Sequence, residues 1–163
     1  MTRTVLAVAA PLAALFAAAP AAAQVMTPAE YIMTAGASDL YERQSSALML
    51  QSTADPRIRA YAQEMIADHT KSTADVKAAA LKSRVQPAPP MLTPLQAELI
   101  AELRAETGPN RDARYIAQQR ASHNQALFVQ QAYAAEGTAA PLRAAAAKIV
   151  PVVQGHIAML RNM

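Results

Sequence analysis

The chain has 163 residues, just over half of them hydrophobic, and 15 basic against 12 acidic side chains for a formal net charge of +3. It contains no cysteine, which excludes disulfides, thiol chemistry and a lipid-anchored cysteine, so stability has to come from packing. Bases and acids alternate without a basic block, which argues against a nucleic-acid partner.

Residues 1–23, MTRTVLAVAAPLAALFAAAPAAA, read as a secretory signal. Arg3 is a minimal positive start, Val5 to Phe16 the apolar stretch, and Ala21-Ala22-Ala23 a small-residue cleavage site. A retained anchor is the rival reading. The run is mostly alanine and is interrupted by Pro11 and Pro20, so it makes a poor spanning helix. The expectation is an exported, periplasmic protein with no membrane span after cleavage, whose residues 24–163 form a single domain.

Helix signals dominate the remainder. Thr27-Pro28-Ala29-Glu30 carries an N-cap, a proline in the first turn and a reciprocal glutamate, and predicts a helix to about Thr53. Asp55-Pro56 repeats the device and opens a second helix ending near Arg84, so the short link forces an antiparallel hairpin. QPAPPML, residues 86–92, reads as an extended connector. Thr93-Pro94-Leu95-Gln96 then starts a short helix with Leu95, Leu99, Ile100 and Leu103 on one side, suited to packing on the bundle. Gly108-Pro109-Asn110 is expected to close it, with a fourth helix from about Arg111 to Glu136 and Gly137 as its stop. Thr138 is expected to cap a last helix reaching Arg161. Two hairpins joined by a long connection with one short helix predict an all-α, ferritin-like four-helix bundle with a crossover.

The chain has three histidines, and each belongs to a different long helix. Steps of four and three place His69 on the seam Ile58, Ala62, Met65, Ser72, Val76, Ala79. His156 shares a seam with Leu142, Ala146, Ile149, Val153 and Leu160, and His123 a side with Ile116, Ala126 and Leu127, along which Gln119 and Gln130 also lie. The first helix offers Glu42, near Ser38, Ser45 and Ser46. Counting along the helices puts Glu42, His69, His123 and His156 about 14 to 20 Å below the first hairpin turn, within roughly one helical turn of one level. One glutamate and three histidines at one height are a candidate site for a transition-metal ion or a small ligand.

A second reading is a satisfied polar core, in which the imidazoles bond to neighbouring helices and only set their register. Asp68, about 100° round the helix from His69, reads as a solvated charge. A di-iron centre is disfavoured, since Ile66, Arg120 and Val153 stand three residues before the histidines, and Glu64 is five before His69 on another face. Met65 and Met159, one turn from His69 and His156, leave room for copper(I). Pro151 lies inside the last helix and bends it, and Gly155 would admit a close neighbour to His156. No nucleophile elbow, phosphate loop or paired zinc-type histidines are present, so no catalytic residue is assigned; an enzyme using a bound metal for redox chemistry is the weakest of three readings, and whether the protein is an enzyme stays open. A metal ion or an envelope protein is the expected partner.

DLYERQSSALML (39–50), YAQEMIADHTKS (61–72), YIAQQRASHNQALFVQQA (115–132) and LRAAAAKIVPVVQGHIAML (142–160) together resemble the bacterial family called domain of unknown function 4142. The resemblance covers nearly the whole chain after the leader and implies an exported, ferritin-like bundle. The family's glutamate in the first helix, Asp-His in the second and histidine in the last two match Glu42, Asp68-His69, His123 and His156, and its proline matches Pro151. Where members often carry Asp-His in the fourth helix, this chain has Ser122-His123. The resemblance implies no activity.

Overall fold

The structure, a computed structural model, describes residues 25–163, so the expected leader lies outside the described residues. Among the described residues five helices follow one another: α1 Pro28–Ser52, α2 Pro56–Lys82, α3 Pro94–Ala105, α4 Gly108–Glu136 and α5 Ala140–Leu160. The first three begin where the cap residues predict. Thr27 and Thr93 each close a capping box, with Glu30 and Gln96, while the Asp55 side chain accepts from the Arg57 amide.

Two boundaries differ from expectation. Gly108-Pro109-Asn110 opens α4 instead of closing α3, because a proline in a first turn forfeits no helical hydrogen bond. The N-cap of α5 is Ala139, without a side-chain cap, and not Thr138. Gly137 does end α4, though at φ −54 it is not there for a left-handed turn. Packing requires it: a Cβ at Gly137 would lie 2.6 Å from Cε1 of the Tyr133 ring.

Cross-helix contacts define the topology. Tyr31 at the start of α1 stacks on Tyr133 at the end of α4, with centroids 3.9 Å apart, while Thr53 beyond the end of α1 bonds to Asp112 near the start of α4. α1 and α4 are therefore antiparallel. The same cluster memberships pair the start of α2 with the end of α5, through Ile58 and Leu160. α2 thus finishes at the end of the bundle opposite the first hairpin turn, and α4 begins beside that turn. The chain between them must travel the full length of the bundle, which is the ferritin-like crossover. α3 rides on this crossover and packs on α1 and α4 through buried Ile100 and Leu103. Leu95, expected on the same buried side, is exposed.

Two apolar clusters divide the core. One, away from the first hairpin turn, gathers Tyr31, Val76, Val129, Tyr133, Leu142 and Ala146. The other, next to the turn, gathers Met49, Ile58, Met65, Leu103, Tyr115 and Leu160. Each histidine-bearing helix contributes to both and carries its histidine in between, so a polar layer is sealed above and below by hydrocarbon. All five tyrosines of the chain are buried. Four of their hydroxyls bond across helices: Tyr31 to Gln130, Tyr41 to Gln118, Tyr61 to Gln119 and Tyr115 with Ser46.

Candidate metal centre

The seams that place Met65, His69 and Val76 on one face of α2 turn the His69 ring inward, where α4 and α5 bring His123 and His156 to meet it. The three rings lie with centroids 5.2 to 5.7 Å apart, and all are buried. One ring nitrogen of each falls within 4.8 Å of the other two.

Outer partners decide which nitrogens those are. Nδ1 of His69 lies 2.8 Å from Asp39 Oδ1, a carboxylate that accepts, so this nitrogen carries the proton. Nδ1 of His123 lies 2.9 Å from the Gln119 carbonyl and donates to it. Nε2 of His156 lies 3.0 Å from Asp68 Oδ2 and donates likewise. In neutral rings this leaves His69 Nε2, His123 Nε2 and His156 Nδ1 as lone pairs facing the interior. Among the described residues His69 Nε2 has no hydrogen-bond partner, and His123 Nε2 faces His156 Nδ1 at 3.2 Å. Two lone pairs at that distance repel. Reversing the His156 tautomer gives His123 a donor but sets a lone pair against the Asp68 carboxylate. Neutral rings alone therefore leave one contact unsatisfied, and a single cation, proton or metal, resolves it.

Glu42, the fourth residue expected at this level, does reach it but stands behind His123. Its Oε1 lies 3.8 Å from Nδ1 of His123, the nitrogen that faces away from the interior, and accepts from Ser122 at 2.6 Å. Its other oxygen accepts from Gln119, whose carbonyl holds His123. The carboxylate is buried among donors and is not grouped with the three imidazole nitrogens. Ser122 thus anchors Glu42.

Asp39 is a residue that the sequence reading missed. It is buried, holds His69, and accepts from Thr73 through its second oxygen at 3.0 Å. Its signal was its position three residues before Glu42, on the same face of α1. Asp68 is corrected from a solvated charge to the anchor of His156, its side chain still 37% exposed. The reason is that α2 packs against α5 as well as α1, so a residue off the main seam meets a second helix. Met65 belongs to the apolar cluster next to the first hairpin turn, and Met159 packs against the same cluster. Gly155 admits no close neighbour, since a Cβ there would meet open space.

The charges follow the partners. Burial alone would lower His69, but its bond to Asp39 and the charges of Glu42, Asp39 and Asp68 more than offset this, and its pKa is raised. Burial lowers His123, opposed by Glu42 and reinforced by His69. Burial also pushes His156 down to about 4, against the bond to Asp68. Of the three imidazoles, His69 is therefore the one that takes a proton most readily.

Two openings reach this region. A cavity of about 90 Å³ between α2 and α5 is lined by Asp68, His69, Ser72, Ile149, Val152 and His156, among others. A larger groove of about 1190 Å³, between α1, the connector, α3 and α4, touches none of the histidines and meets the network only through Ser122.

Fold and cluster together define a ferritin-like helical bundle with a buried histidine centre. The chain belongs to the family described as domain of unknown function (DUF4142), which it matches over residues 13–163. It is also similar to the crystal structure of a DUF305 fragment from Deinococcus radiodurans, at 14% identity and a TM-score of 0.71, covering 83% of this chain and 93% of that one. At that identity the likeness shows the fold alone. No curated protein matches the chain.

Proposed function

We propose that the protein is an exported, periplasmic bundle that binds one divalent transition-metal ion through His69 Nε2, His123 Nε2 and His156 Nδ1. The observation that carries the reading is the buried Nε2 of His69, without a partner among the described residues, converging with two further lone pairs in the core. A buried polar atom without a partner is costly, and metal coordination would satisfy three at once. A tetrahedral ion with bonds near 2.0–2.1 Å keeps its ligand nitrogens about 3.3 Å apart, close to the His123–His156 spacing. The outer bonds have the form that metal-binding histidines use, since Asp39, Asp68 and the Gln119 carbonyl each hold the non-ligating nitrogen. An all-imidazole set suits zinc, copper, nickel or iron, and the bound ion would act as a Lewis acid. Export is supported by the signal-like residues 1–23.

Titration of metal-free protein with Zn²⁺, Cu²⁺ or Co²⁺ tests the reading. The expected result is one equivalent bound and a rise in Tm, abolished in His69→Ala. No rise with any of the three ions would overturn it. One observation favours a second reading, a purely structural core: His69 and His156 each bond to a carboxylate on a neighbouring helix, Asp39 and Asp68, which fixes helix register without an ion. That reading expects single histidine replacements to destabilise the protein with no dependence on metal.

A further inference from the structure

Of the groups that hold the three rings, Asp39, the Gln119 carbonyl and Asp68, all but one are sealed. His123, Glu42, Gln119 and Ser45 are almost wholly inaccessible, and apolar clusters close the layer on both sides. Asp68 is the exception: it joins the buried His156 to the surface. The cavity between α2 and α5 opens at the same place, and His69, whose Nε2 lacks a partner, lines it beside His156. Around Asp68 a second grouping occurs. Glu64, Asp68 and His156 each bring one ligand atom within 4.8 Å of the others. Glu64 is exposed, Asp68 half-buried and His156 buried, so the three grade from water to core.

His156 belongs to both groupings through different nitrogens. Its Nε2 faces Asp68 at 3.0 Å, and its Nδ1 faces His123 at 3.2 Å. We infer that the α2–α5 cavity is the loading route for the metal, with Glu64, Asp68 and His156 Nε2 forming an outer cation station that passes the ion inward. This rests on the metal-site reading above.

The two tautomers of His156 match the two stations. With the ion outside, Nε2 is a ligand and the proton sits on Nδ1, donating to His123 Nε2 along the 3.2 Å contact. With the ion inside, Nδ1 is a ligand and the proton sits on Nε2, donating to Asp68 along the 3.0 Å contact. Water entering the α2–α5 cavity takes the proton from Nδ1 and gives one to Nε2, so the ring stays neutral and no net proton is released. Asp68 on the cavity lining, with Glu64 beside it, also favours a cation over an anion as the species admitted, since the Lys71 ammonium on the cavity rim is paired with Asp75.

The test is the rate of Co²⁺ loading into metal-free full-length protein, followed by stopped-flow absorption of the visible cobalt bands. Glu64→Gln removes an exposed carboxylate, and Val152→Trp fills a cavity whose lining residue is already 42% exposed. Each variant is expected to load about tenfold more slowly than the parent, with the same final spectrum and affinity, while the charge-matched control Glu98→Gln on α3 loads at the parent rate. Should Val152→Trp not fold, Glu64→Gln carries the comparison by itself. Loading at the parent rate in Glu64→Gln and in any folded Val152→Trp, with cobalt still bound, would overturn the loading route but leave the three-histidine site standing. If the parent takes up no Co²⁺, the metal-site reading fails and the route fails with it.

Discussion

Nε2 of His123 and Nδ1 of His156 stand 3.2 Å apart in the sealed middle of the bundle, each held there by a partner on its far side. That contact can be relieved by one cation, and the behaviour of the protein should follow from which cation it is.

Asp39 should matter to metal affinity without touching the metal. It holds His69 in the tautomer that presents Nε2 inward. Asp39→Asn is expected to weaken Zn²⁺ binding by about 10 to 100-fold, the usual effect of losing an outer partner. Isothermal titration against a competing chelator measures this, and an unchanged affinity would remove Asp39 from the site.

Glu42 separates a ligand from a supporting group. Its oxygens are occupied by Ser122 and Gln119 behind His123. Glu42→Gln should cost roughly 1 to 3 kcal/mol of stability, because the buried donors lose a charged acceptor. Metal affinity should fall less than in Asp39→Asn. A larger fall in metal affinity for Glu42→Gln would mean that Glu42 coordinates directly.

The pH dependence of the metal-free protein has two arms. His69 has a raised pKa, so its contribution is complete below the unfolded value and is lost as pH rises through the folded value. His123 and His156 are lowered, the latter to about 4, so the unfolded chain binds their protons first and stability falls as pH drops from the unfolded value toward 4. Asp39, Glu42 and Asp68 are the carboxylates facing the rings. Calorimetry in chelator should find the highest Tm near the unperturbed histidine value of about 6.5. A Tm that keeps rising from pH 7 to 9 would contradict the raised pKa of His69.

Two glycines should respond oppositely to the same methyl group. Gly137→Ala drives a Cβ to within 2.6 Å of the Tyr133 ring and carbonyl and should cost about 1 to 3 kcal/mol. Gly155→Ala meets open space inside a helix and should stabilise by about 0.5 to 1 kcal/mol. Thermal melts of the two variants check both, and a stabilised Gly137→Ala would contradict the packing at the end of α4.

Local signals carried most of the architecture. Thr27, Asp55 and Thr93 mark helix starts because a side-chain oxygen before a proline satisfies amides that the helix cannot, and that chemistry depends on three or four neighbouring residues. The histidine seams were legible for a similar reason, since the helical period fixes which residues share a face. Fixed rise per residue then placed His69, His123 and His156 at one height. Gly108 and Thr138 were misassigned because a glycine or a threonine near a proline serves equally as a stop, a start or a linker.

By itself, then, the sequence determined helices, faces and heights, which are properties of one segment at a time. The tertiary structure alone decided which atom of which residue meets which. Asp39 finds His69 across 30 positions, and Asp68 finds His156 across 88, because α2 lies between α1 and α5. Rotation of each helix about its own axis set Glu42 behind His123 instead of among the inner nitrogens. Side-chain hydrogen bonds act over about 3 Å, and no periodicity along a chain encodes a distance of that size between helices.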